Sequence, residues 1–142
     1  MNLNRLFFAT VIGAIVFFLS GALIYGMFLQ SILNKLLTAE ATAALRAAPE
    51  LSGIASSCVI FAFALAYIYE RWTMIRNWKS GALAGSVIAC AMAVSIDLGL
   101  SGIYNMFADM SYIMYDGIGN LLMGALTGAA IGWYLGYNRQ VG

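Results

Sequence analysis

The stretch Gly117-Ile-Gly-Asn-Leu-Leu-Met-Gly124-Ala-Leu-Thr-Gly128-Ala-Ala-Ile-Gly132-Trp-Tyr-Leu-Gly136-Tyr137 holds no charged residue and repeats glycine at every fourth position from Gly124. About 20 apolar residues of helix cross a hydrocarbon core of roughly 30 Å, so this run is long enough to span one. Inside lipid every backbone N–H and C=O needs a partner, which restricts spanning structures to helices and closed barrels. Continuous apolarity without alternation selects the helix. Three more runs lie upstream: Leu6 to Leu29 and Ser52 to Tyr69 without charge, and Gly81 to Ala108 with Asp97 alone. A chain that is 63% hydrophobic and 9% charged lacks the polar surface that a soluble domain of this size needs. The expectation is therefore a single all-α domain, an integral membrane bundle of four transmembrane helices over about 6–29, 52–70, 81–107 and 112–137.

The first run exceeds the usual h-region of a signal peptide, about 7–15 residues, and no small-residue cleavage site follows it, so it reads as a retained helix. Cys58 and Cys90 fall inside spans at different depths, which argues for buried thiols rather than a disulfide. Arg5, then Arg71, Arg76 and Lys79, then Arg139 outnumber Lys35 and Arg46 of the first connection. Basic residues concentrate on the cytoplasmic side of short loops, placing both termini and the middle loop there. Tyr67, Tyr69, Trp72, Trp78, Trp133, Tyr134 and Tyr137 then form an inner aromatic belt, and Tyr25, Phe28, Tyr104, Phe107, Tyr112 and Tyr115 an outer one.

Between spans one and two, Ser31 to Ala48 sets apolar residues at mostly helical spacing ahead of Pro49, the sole proline. A short interfacial helix fits that pattern, although Thr38 and Glu40 also suit the start of a separate helix. Spans three and four carry small-residue stripes: Gly81, Gly85, Ala89, Ala93, Asp97 and Ser101 in one, and Asp116, Asn120, Gly124, Gly128, Gly132 and Gly136 in the other. Such spacing lets membrane helices approach closely. The two stripes suit a hairpin between spans three and four, or contact with another chain.

A hairpin turning near Asp109 would set Asp97 level with Asn120 and Leu121, and Asp116 level with Ser101 to Tyr104. Asp97, Asp116, Asn120, Ser101 and Tyr104 thus form the candidate polar site. An ionisable group at such depth costs about 2.5–3.5 kcal/mol on insertion scales and points to function by default. Its two readings are a cation or proton site and an interhelical glue held by Asn120, Ser95, Ser101 or a tyrosine hydroxyl. Ile24-Tyr25-Gly26-Met27-Phe28 also matches Ile103-Tyr104-Asn105-Met106-Phe107 at four of five positions, through either a duplicated two-helix unit or chance.

Without a histidine in the chain, histidine-based catalysis, haem ligation and zinc–histidine sites are excluded. No nucleophile has an activating base beside it in sequence, so no catalytic residues, metal site or cofactor are expected, and the chain does not read as an enzyme. A net charge of +1 gives no nucleic-acid footprint. The segments Gly21-Ala-Leu-Ile-Tyr25-Gly26 and Ala66-Tyr67-Ile68-Tyr69-Glu70-Arg71-Trp72, with a third span that opens at Gly81, resemble a family of small bacterial four-helix membrane proteins of uncharacterised function. Ile24 stands where that family commonly has tryptophan. The resemblance implies a bacterial inner (cytoplasmic) membrane protein and implies no activity. Two functional expectations result. One is a protein acting through helix packing, as a homo-oligomer or as an accessory subunit beside other membrane-protein subunits in the lipid bilayer. The other is a small transporter or an ion- or proton-conducting protein that uses Asp97 and Asp116.

Overall fold

A computed structural model describes residues 3–137. The fold is all-α, with no strand among the described residues. Four helical segments are long and apolar enough to cross a membrane: Leu3–Leu36, Leu51–Thr73, Trp78–Ile103 and Ser111–Tyr137. The first comprises α1 (Leu3–Leu23), a π-helical turn over Ile24–Leu29, α2 (Gln30–Leu33) and a 3-10 turn over Asn34–Leu36. A short α3 (Ala39–Ala43) follows, then α4 (Leu51–Tyr67) with its own π-helical turn over Ile68–Thr73, α5 (Trp78–Ile103) and α6 (Ser111–Tyr137).

Local chemistry explains these boundaries. Asn77 caps α5 by accepting from the Ser80 N–H at 2.8 Å, and Met74, the residue with positive φ, turns the chain out of the second segment. Ahead of α6, Asp109 accepts from the Ser111 N–H and hydroxyl, each at 2.8 Å. Those donors hold its exposed carboxyl below the usual carboxylate range. α5 ends at Ile103, one turn short of the expected 107. From Tyr104 the backbone is extended and pairs with the end of the first segment, through Thr38 N–H to the Met106 carbonyl at 2.9 Å and Ala108 N–H to the Leu36 carbonyl at 2.8 Å. The same pairing corrects the expected interfacial helix. Leu37 leaves helical geometry to bridge Phe107, so helix continues only to Leu36. The separate helix spans just Ala39–Ala43, with Thr38 as its cap.

The dominant packing is α5 along α6. Gly81 faces Gly128 and Gly85 faces Gly124, so closely that a Cβ added to any of these four would run into the opposing backbone carbonyl. Gly132 and Gly136 continue the approach against the carbonyls of Asn77 and Arg76. Both stripes are thus occupied within the chain, as a hairpin. α1 packs on α4 and α6, whereas α5 makes almost no contact with α1 or α4. The core where the helices meet is Leu6, Ala9, Leu65, Ala66, Tyr69, Ile131 and Leu135. Tyr69, expected in an aromatic belt, is fully buried. Its hydroxyl donates to the Gly81 carbonyl at 2.6 Å, and Ala84 and Ile88 of α5 pack on the same core.

Beside this core Glu70 pairs with Arg76 and lies 3.9 Å from Arg5 Nε, while Arg5 also donates to the Leu135 carbonyl. Two of the basic residues counted for orientation are therefore tied down by one carboxylate. Arg139 lies outside the described residues. Cys58 and Cys90 are both free thiols.

Replacing Gly85 or Gly128 with leucine is expected to destabilise the protein in detergent by about 1–3 kcal/mol or more, since the opposing group is backbone that cannot move aside. Gly99, with nothing near its Cβ position, should accept alanine within about 0.5 kcal/mol of neutral. Thermal melting of the two classes side by side checks the assignment.

Candidate functional site

Asp116 and Asn120 are one turn apart on α6, so their side chains share a face. That face meets the π-helical turn of the first segment, which carries Tyr25. The Tyr25 hydroxyl donates to Asp116 Oδ1 at 2.7 Å. Asn120 Nδ2 donates to Asp116 Oδ2 at 2.9 Å and to the Tyr25 oxygen at 2.8 Å. Both carboxylate oxygens of Asp116 therefore hold a donor, and three side chains from two segments form a closed triangle. A π turn in a helix is a recurrent feature of functional sites because the extra residue re-aims the side chains around it.

Asp97 completes the cluster from α5. It is 9% exposed, and its carboxyl comes within hydrogen-bonding reach of the Asp116 carboxyl. Its Oδ2 is buried and has no hydrogen-bond partner. The site lies about 9 Å inside the end of α5, at 1.5 Å per residue over the six residues from Asp97 to Ile103.

This arrangement differs from the expected register. With Gly81 opposite Gly128 and Gly85 opposite Gly124, Asp97 comes level with Tyr112 to Asp116 rather than with Asn120. The glycine contacts set that register, and the connection runs through 104–107 without helix before the chain bends at Ala108–Met110, so the hairpin is not closed by a tight turn alone. Asn120 consequently bonds Asp116 and Tyr25 instead of Asp97. Ser101 donates to the Leu98 carbonyl of its own helix at 2.8 Å, and Tyr104 is 57% exposed beyond the helix end. Both line a separate recess with Gly102, Asn105 and Met110 and take no part in the cluster. Tyr25 does. The match between Ile24–Phe28 and Ile103–Phe107 pairs these two tyrosines, yet one sits in a π turn and the other in extended backbone.

The carboxylates open onto a cavity of about 510 Å³. Its walls are Ser57, Ile60, Phe61, Ala64 and Ile68 from α4 and its π turn, and Ile88, Met92, Ala93 and Ile96 from α5. Phe17 of α1, stacked on Phe61 at 4.6 Å, contributes to the floor. The cavity exists because α4 and α5 pack together little along their length, meeting where Ala84 and Ile88 reach the core of Leu65, Ala66 and Tyr69. No family model, curated protein or solved structure matches the chain.

Tyr25→Phe removes one charge-assisted donor from Asp116 and should cost about 1.5–3 kcal/mol of stability. In a double-mutant cycle with Asp116→Asn the loss should be strongly non-additive. Calorimetric or fluorescence melting in detergent measures both.

Proposed function

We propose that this chain is a small multi-pass membrane protein that binds a cation at the Asp97–Asp116 pair and exchanges it for a proton. The observation that carries this reading is the asymmetry of the two carboxylates. Asp116 is fully supplied with donors by Tyr25 and Asn120, while the adjoining Asp97 has the Asp116 carboxyl as its neighbour and takes no N–H or hydroxyl donor at its buried Oδ2 from the described residues. Two carboxylates side by side in a low-dielectric site do not both stay ionised unless positive charge lies between them. A proton and a metal or ammonium cation are alternative occupants of such a site, and competition between them is the elementary step of exchange. Tyr25 and Asn120 position Asp116, and Asp97 meets the exchanging charge.

The reading through helix packing, as an oligomer or accessory subunit, rests on small-residue faces and on the poverty of polar groups; of these, the glycine faces of α5 and α6 meet each other within the chain. The bilayer covers the remaining apolar surface equally well. Residence in a bacterial inner membrane with cytoplasmic termini belongs to the proposal. The orientation rests on the excess of Arg5, Arg71, Arg76 and Lys79 at one end of the spans, and the bacterial inner membrane on the resemblance carried by Gly21–Gly26 and Ala66–Trp72.

Proteoliposomes with an acidic lumen and an entrapped pH dye test the exchange. Addition of sodium, potassium or an organic ammonium salt outside should alkalinise the lumen faster with the wild-type protein than in empty vesicles, for at least one of these cations. Asp97→Asn and Asp116→Asn should return the rate to that of empty vesicles. Equal rates for wild type, variants and empty vesicles with every cation would refute the proposal.

A further inference from the structure

The cavity at the carboxylates has a shape and a polarity that an inorganic ion does not need. Only one of its ends is polar. From Asp97 it runs along α5 past Ile96, Met92 and Ile88, about 14 Å at 1.5 Å per residue. The facing wall is Ile60, Phe61, Ala64 and Ile68, and no lysine or arginine among the described residues lines it. At the far end Ile88 packs against the core cluster of which Leu65, also in the lining, is a member. Because α4 and α5 do not pack together along this length, the cavity is a groove open sideways between two membrane-spanning segments. Its mouth faces the region occupied by lipid tails. A water-filled ion path would show polar groups along its length, and here they are confined to Asp97, Asp116, Asn120 and Ser57.

We infer that the groove between α4 and α5 binds a membrane-dissolved amphiphile with one positively charged amine head and an unbranched apolar tail, its head against Asp97 and Asp116. Charge complementarity identifies the head. Asp97 and Asp116 both line the groove at its polar end, and no lysine or arginine among the described residues lines it to balance them. A protonated amine supplies both the donor and the positive charge that the carboxylate pair calls for. Hydrocarbon identifies the tail, since the rest of the lining offers no hydrogen bond. The volume lies in the ordinary range for small-ligand sites, about 300–1,000 Å³. The inference rests on the cation-binding reading of the carboxylate pair and names its substrate class.

Native mass spectrometry of the full chain in a non-ionic detergent tests it with three probes of one chain length: dodecylamine, dodecanol and dodecanoate. The expected result is one retained dodecylamine per chain, with the alcohol and the acid retained weakly or not at all. Loss of one partner of a buried charge pair predicts that Asp97→Asn weakens amine retention about thirtyfold or more. Ala64→Trp, which fills the groove and leaves the carboxylates in place, should also abolish retention while the variant still melts cooperatively. Equal retention of all three probes, or amine retention unchanged by Asp97→Asn, would overturn the inference and mark the groove as a seat for any acyl chain. No amine retention, together with sodium- or potassium-driven proton movement that depends on Asp97, would overturn it and leave the cation-exchange reading standing. Absence of both would defeat the two together.

Discussion

Backbone-to-backbone contact between α5 and α6 is the constraint from which the remaining geometry follows. Gly81 and Gly85 press against the carbonyls of Gly128 and Gly124, an approach that side chains of any size forbid. The helices are long and apolar enough to cross a membrane, and in that setting, where no hydrophobic force acts between helices, dispersion and weak Cα–H···O contacts across such a surface supply the attraction. These contacts have a single register, and helices locked at one end cannot slide at the other. That register carries Asp97 to Asp116.

Commitment of α5 to α6 also shapes what surrounds the site. α1 packs on α4 and α6, which leaves α5 attached through one neighbour and touching the α4 side where Ala84 and Ile88 reach the core of Leu65, Ala66 and Tyr69. The π turn after α4 is what delivers Tyr69 there, fully buried and bonded to the carbonyl of Gly81. A second π turn, after α1, delivers Tyr25 to Asp116. Both irregular turns thus bind the first two spans to the glycine-locked pair, one at each end. The groove is the space that this scheme leaves between them.

The polar balance at the two ends is different in kind. Around Glu70 two arginines surround one carboxylate, with Arg5 anchored further on the Leu135 carbonyl, which ties three segments together. Around Asp97 two carboxylates meet with a tyrosine and an amide, and no basic side chain among the described residues lines the cavity. A buried excess of negative charge in an apolar setting is costly. The first cluster carries an excess of cationic donors, with Arg5 Nε and Arg76 Nε buried and without a hydrogen-bond partner among the described residues, whereas the second carries an excess of acceptors.

Sequence alone determined the four long apolar segments, their helical character and the two glycine stripes, because hydrophobic length and small-residue spacing are local properties of a helix. It also singled out Asp97, Asp116 and Asn120, since charge and amide groups stand out in an apolar run. It misplaced their partners. The hairpin register depends on where glycine carbonyls collide, and a residue count to the turn does not contain that, so Asn120 was assigned to Asp97 instead of Asp116. From sequence Tyr25 suits a belt and Tyr104 a site, because composition cannot reveal a π turn that rotates one tyrosine inward or extended backbone that releases the other. The interfacial helix shortened to Ala39–Ala43 for a related reason: Leu36 to Thr38 pair with the 106–108 segment, a contact distant in sequence. What tertiary structure decided was which helices leave each other unfilled, and with it the groove, since an absence of packing between α4 and α5 has no signature in either helix taken alone.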